Sequence, residues 1–158
     1  MALSELQGFF TKHPGINAVL MPNDESGAPV IAYLRSKGLE PRTLPVIGHD
    51  ATLTGLGNVL TGYQCRTVHE PIYLEAQGAV ALAIYVRAGL EPPAALVNGT
   101  TMDTQEHKAV ASVLLTPEWV TTKSMNATVI ADHFVPPAQL CAAPHATAAA
   151  CKAAGIKP

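Results

Sequence analysis

Ile16-Asn17-Ala18-Val19-Leu20-Met21 and Leu44-Pro45-Val46-Ile47-Gly48 are two short, mostly apolar runs, and Arg66-Thr67-Val68-His69 reads as a third, shorter strand. Each is too short for a stable helix, and the first is apolar enough to predict a strand covered on both faces. The stretches between them read as helices. Asp24 to Lys37 places Val30, Ile31 and Leu34 inward and has Gly38 at the C-cap position. Ala51 to Leu60 is closed by Gly62. Working outward, Ser4 to Lys12 predicts a first helix with Leu6, Phe9 and Phe10 on one side, stopped by Pro14-Gly15. Pro71 to Ala88 predicts the longest, with a broad apolar stripe of Ile72, Leu74, Ala79, Leu82, Ala83 and Val86. Strands alternating with helices imply βαβ units, a parallel sheet and right-handed crossovers.

After Gly89 the pattern changes. Pro92-Pro93 breaks the chain, Ala95 to Asn98 and Ala111 to Leu115 read as two short strands, and Thr121 to Asp132 as a last short helix. Two segments are expected, 1–135 and an Ala/Pro-rich tail over 136–158. Two of the three cysteines, Cys141 and Cys151, stand in that tail, and Cys65 stands alone. The tail pair can close a small disulfide loop, which suits an oxidising compartment; two reduced thiols suit the cytosol. We expect Cys141 and Cys151 to be bonded and Cys65 to be a half-buried free thiol.

Composition narrows the function classes. With 158 residues, one compact domain is expected rather than two full ones. Hydrophobic residues at 48% against 14% charged ones supply a core and exclude a disordered tail. A net charge of -2 without a basic block leaves nothing to neutralise a phosphate backbone, so nucleic acid is not an expected partner. No run is long enough to insert in a membrane, and Met1 to Gly8 lacks the basic and apolar regions of a signal peptide. The cysteines form no CxxC pair and the six histidines no HExxH, so neither a metal nor another cofactor is expected.

Polar residues recur where each strand gives way to its helix: Asn23 after the first, Asp50 after the second and Glu70 after the third. In open α/β sheets ligands bind outside the carboxyl ends of the strands. An Asn both donates and accepts there, while ionised Asp and Glu accept from hydroxyls, a set suited to a polyhydroxylated ligand. The plain reading is helix capping, with Pro71 as an ordinary first-turn proline. His49 and His69 both fall at strand ends and could meet there. Asp24, Asp50 and Glu70 could be imagined as a hydrolase's acids, but nothing supplies a nucleophile, and no enzyme is expected. Trp119 is expected to pack in the core or at a hinge.

Several segments, in order, resemble bacterial sugar-binding proteins of ABC importers, nearest to the D-xylose-binding subgroup. They are Asn17-Ala18-Val19-Leu20-Met21-Pro22-Asn23-Asp24, Pro45-Val46-Ile47-Gly48-His49-Asp50 and Gly62-Tyr63-Gln64-Cys65-Arg66-Thr67-Val68-His69-Glu70-Pro71. Ser112 to Pro117, Asn126 to Asp132 and the Cys151-Lys152-Ala153-Ala154-Gly155-Ile156 ending continue the series. The resemblance implies an α/β, three-layer parallel-sheet lobe of the type I periplasmic-binding-protein fold. It also implies that the lobe is incomplete: the later part of a second lobe plus the hinge return, with the helix over 71–88 packing on a first lobe that this chain lacks. It places Asn23 and Asp50 on ligand-contacting positions. At Glu70 xylose binders commonly carry Lys, so a donor is replaced by an acceptor.

The implied partners are a monosaccharide and, in the full-length protein, an ABC importer permease, in an extracytoplasmic location. The same fold also serves the effector-binding half of LacI-type transcription regulators, and an orphan lobe can act as an interaction module. Without its first lobe, the apolar helix over 71–88 is expected to drive homodimerisation.

Overall fold

The computed structural model describes residues 2–158. The chain divides into two compact units, Met1–His69 with Glu118–Pro158, and Glu70–Pro117. This division differs from the expected 1–135 and 136–158, because the tail packs into the first unit instead of trailing from it.

In the first unit, α1 (Ala2–Lys12) precedes β1 (Val19–Leu20), α2 (Asp24–Ser36), β2 (Val46–Ile47), α3 (Leu53–Thr61) and β3 (Thr67–His69). β1 runs parallel to β2, with Val19 opposite Val46 and Leu20 opposite Ile47. A parallel bridge from Ile47 to Arg66 carries the ladder on to β3. The far edge is closed by β6 (Glu118–Val120), which returns antiparallel to β3 with Trp119 opposite Val68. Each helix starts and stops where its local chemistry dictates. Asn23 and Thr52 accept from the Ser26 and Gly55 amides as N-caps, and Gly62 ends α3 in the left-handed region at φ 84°.

Alternation along the strands sorts the sheet into two faces. Val19, Val46, Thr67 and Val120 point to the buried one. Val19, Met21 and Val46 meet Val30, Ile31 and Leu34 of α2, with Leu6 and Phe10 of α1 beside them. Leu56, Val59 and Leu60 of α3 pack with Val120, Met125, Val129, Leu140, Cys151 and Ile156. The other face is uncovered: Leu20 is 78% and Trp119 52% exposed. The expectation of a first strand covered on both faces therefore fails, since these helices pack on one side only. Trp119 likewise is not a core residue; its ring lies under the Arg66 guanidinium, 4.9 Å from the centroid.

Past β6, the expected helix over Thr121 to Asp132 is a series of turns around a five-residue π-helical segment, Asn126–Ile130. Met125 and Val129 are buried there, so tertiary packing sets its irregular path. The tail holds two short helices, α5 (Pro137–Cys141) and α6 (Ala148–Ala153), against α3. Cys141 and Cys151 are joined between them, with Cα atoms 5.9 Å apart, while Cys65 is free and exposed rather than half-buried.

The second unit holds α4 (Ile72–Arg87) and an antiparallel hairpin, β4 (Gly99–Asp103) with β5 (Lys108–Ser112). The strands expected at 95–98 and 111–115 are thus displaced, because the turn forms around Asp103, whose carboxylate accepts from the Gln105 and Glu106 amides. The stripe expected on α4 is not buried. Ile72, Leu74 and Val86 are exposed along with Tyr73, Val80 and Ile84, and Gly78, against Val113, is the buried residue of the helix.

Candidate functional site

The carboxyl ends of β1 and β2 are stitched together by backbone. Met21 N–H donates to the Ile47 carbonyl and Asp24 N–H to the His49 carbonyl, at 2.8 and 2.9 Å. Asn23 and Asp50 are therefore brought to one rim. The Asn23 Oδ1 accepts from the Ser26 amide at 2.9 Å, which is the capping role the sequence suggested. Its Nδ2 group is not used by the cap, and the residue is half-buried. Asp50 is exposed, and its Oδ1 lies 2.6 Å from His49 Nδ1.

Asp50 and Ala51 both have positive φ, 83° and 48°. Non-glycine residues rarely adopt this region, and two in succession require support from the surroundings. Glu70 directly follows β3 and begins the second unit. The two strand-end histidines have different acidic partners. His49 pairs with Asp50, whereas His69 is buried, with Nε2 3.0 Å from Asp132 Oδ2 and its ring against Phe134.

The residue that sequence reading undervalued is Asp24. It is not a free acid but a fully buried one, 1% exposed. Its Oδ1 accepts from Gln64 Nε2 at 2.7 Å and its Oδ2 from the Thr52 amide at 2.9 Å. The Thr67 hydroxyl is shared between both oxygens at 3.0 Å. The signal was present in the glycines, since a Cβ on Gly48 or Gly55 would run into this carboxylate.

Burial holds the Asp24 carboxyl above its ordinary value of 3.8, outweighing the hydrogen bonds that lower it; the Asp50 charge adds to the rise. A raised pKa means that the fold binds this proton more tightly than the unfolded chain does. The resulting stability is fully present below 3.8 and is lost as pH rises through the folded value. In urea melts across the acid range, the stability of the parent relative to Asp24→Asn should fall as pH rises. A relative stability that climbs with pH would show the carboxylate to be favoured by the fold.

A family model described as "Periplasmic binding protein domain" matches residues 1–91. The D-xylose-binding periplasmic protein of Escherichia coli K12 is 36% identical over 121 residues, covering 75% of this chain and 34% of that protein. The chain spans about a third of the length of the curated relatives it matches. Among solved structures, a carbohydrate transporter solute-binding protein of Chloroflexus aurantiacus in complex with D-glucose superposes with a TM-score of 0.64 at 19% identity. That match covers 77% of this chain and 34% of the other. A periplasmic ribose ABC transporter protein of Conexibacter woesei gives 0.61 at 18%, over 89% and 40%. The parallel strands with their polar carboxyl-end rim, the fold likeness and the match over residues 1–91 agree: this chain belongs to the periplasmic binding protein family.

Proposed function

We propose that this chain supplies one rim of a monosaccharide site in the solute-binding component of an ABC sugar importer, with a xylose-like pentose or related sugar as ligand. The observation that carries the reading is the stitching of the β1 and β2 ends, which supports a shared rim for the Asn23 amide and the Asp50 carboxylate. A side-chain donor next to a charged acceptor matches the alternating donor and acceptor character of sugar hydroxyls. Glu70, at the carboxyl end of β3, is the third ligand residue of this reading. The sugar is held and released unchanged, outside the cytoplasm. Hinge closure between two lobes would present it to the permease.

A rim on one side only leaves water competing for every hydrogen bond, so the 158-residue chain by itself should not bind sugars usefully. The test joins it to the N-terminal two-thirds of the Escherichia coli relative and titrates xylose, ribose and glucose by calorimetry. Asp50→Asn should weaken binding by about 1.5–3 kcal/mol for each charge-assisted bond lost, and Glu70→Gln by less. Equal affinity of Asp50→Asn and its parent would remove Asp50 from the site.

A second observation, the exposed apolar α4, supports a homodimer of the isolated chain.

A further inference from the structure

Asp50 and Ala51 occupy left-handed backbone at the tip of the rim, and neither is a glycine, so something must hold them there. The contacts that do so converge on one residue, Asp24. The Thr52 amide, directly after the strained pair, donates to Asp24 Oδ2 at 2.9 Å. The Ala51 amide donates to Thr67 Oγ1 at 3.2 Å, and that hydroxyl gives its own proton to Asp24. The Asp24 backbone amide meanwhile holds the His49 carbonyl at 2.9 Å, just before the pair. Gln64, at the entry to β3, completes the set from the far side.

We propose that Asp24 is the positioning residue of the rim: it clamps residues 49–52 from both ends and so fixes the direction of the Asp50 carboxylate. It touches no ligand and works through Thr52, Thr67 and the His49 carbonyl. The inference rests on the sugar-site reading for its purpose, but the geometry it claims is measurable without any sugar.

Both Asp24 oxygens accept, one from Gln64 and the other from the Thr52 amide, with the Thr67 hydroxyl between them. Asn in its place keeps one acceptor oxygen and turns an NH₂ group towards the other donor. The glycines at 48 and 55 allow the carboxylate to sit this close to the backbone it holds.

The experiment uses the 158-residue chain and reads backbone coupling constants at Asp50 and Ala51, together with amide hydrogen exchange. Thr67→Val removes the hydroxyl that relays Asp24 to Ala51, and Thr67→Ser restores it. In Thr67→Val the Ala51 amide should exchange about tenfold faster or more, with the positive-φ couplings averaged away. Amides of Val30 and Ile31 in α2 should exchange as in the parent, and Thr67→Ser should behave as the parent throughout. Asp24→Ala, which leaves no acceptor, should release Thr52 as well; the Thr67 pair decides the matter where that variant does not fold. Asp50→Asn should alter none of these readouts, which separates this inference from the sugar reading. Native couplings at Asp50 and Ala51 in Thr67→Val, whether all amides speed up together or none do, would overturn the positioning role.

Discussion

Gly55→Ala is expected to cost about 3 kcal/mol or more, a loss of roughly 10 °C in Tm, although it adds one methyl to a helix. The ordinary expectation is the reverse, since Ala favours helix over Gly by up to ~1 kcal/mol. At Gly55 the added carbon meets the Asp24 carboxylate, which is pinned by Gln64, Thr67 and the Thr52 amide. Gly55 is itself pinned, its amide donating to the Thr52 hydroxyl at 3.1 Å. Neither side can yield without breaking buried hydrogen bonds.

Gly8→Ala in α1 is the control, because its Cβ meets nothing within 4 Å and should stabilise slightly. Thermal melts of both variants check the contrast. The double variant Gly55→Ala with Asp24→Ser should lose less than the sum of its parts, because the smaller side chain relieves the clash. A neutral Gly55→Ala would mean that the carboxylate is free to move.

Self-association of the isolated chain should be the other large effect. α4 is 16 residues long with charges only at Glu75 and Arg87, near its two ends. Tyr73 is 75%, Val80 61% and Ile84 63% exposed, at helical spacing along one side. An antiparallel pairing of two copies across a two-fold axis buries this seam. Sedimentation should show a dimer at micromolar concentrations. Val80→Glu with Ile84→Glu should return a monomer with unchanged helix content, since neither side chain supports the fold. Joining the chain to a first lobe should also abolish the association. A parent that stays monomeric up to about 100 μM would refute the expectation that this surface needs a cover.

Local chemistry explains what could be read early. Helix α2 starts at Asp24 because Asn23 caps it, and α3 stops before Gly62 because the chain must turn left-handed there; both signals lie within a few residues. The three parallel strands and the rim at Asn23 and Asp50 follow from the alternation of apolar runs with helices, since βαβ geometry leaves little choice of topology. The order of the quoted segments then points to the family.

Tertiary structure decided the rest, wherever the deciding partner is remote in sequence. Asp24 looks like one more cap-region acid until Gln64 and Thr67, 40 and 43 positions away, close over it. The antiparallel return of β6 beside β3 and the burial of Leu140 and Ile156 under α3 arise from a core assembled by distant segments. Leu20 and the flank of α4 show the converse. Their apolar side chains satisfy every sequence criterion for burial, and they stay exposed because hydrophobicity states a demand for cover, while only the assembled chain determines whether a covering layer is present.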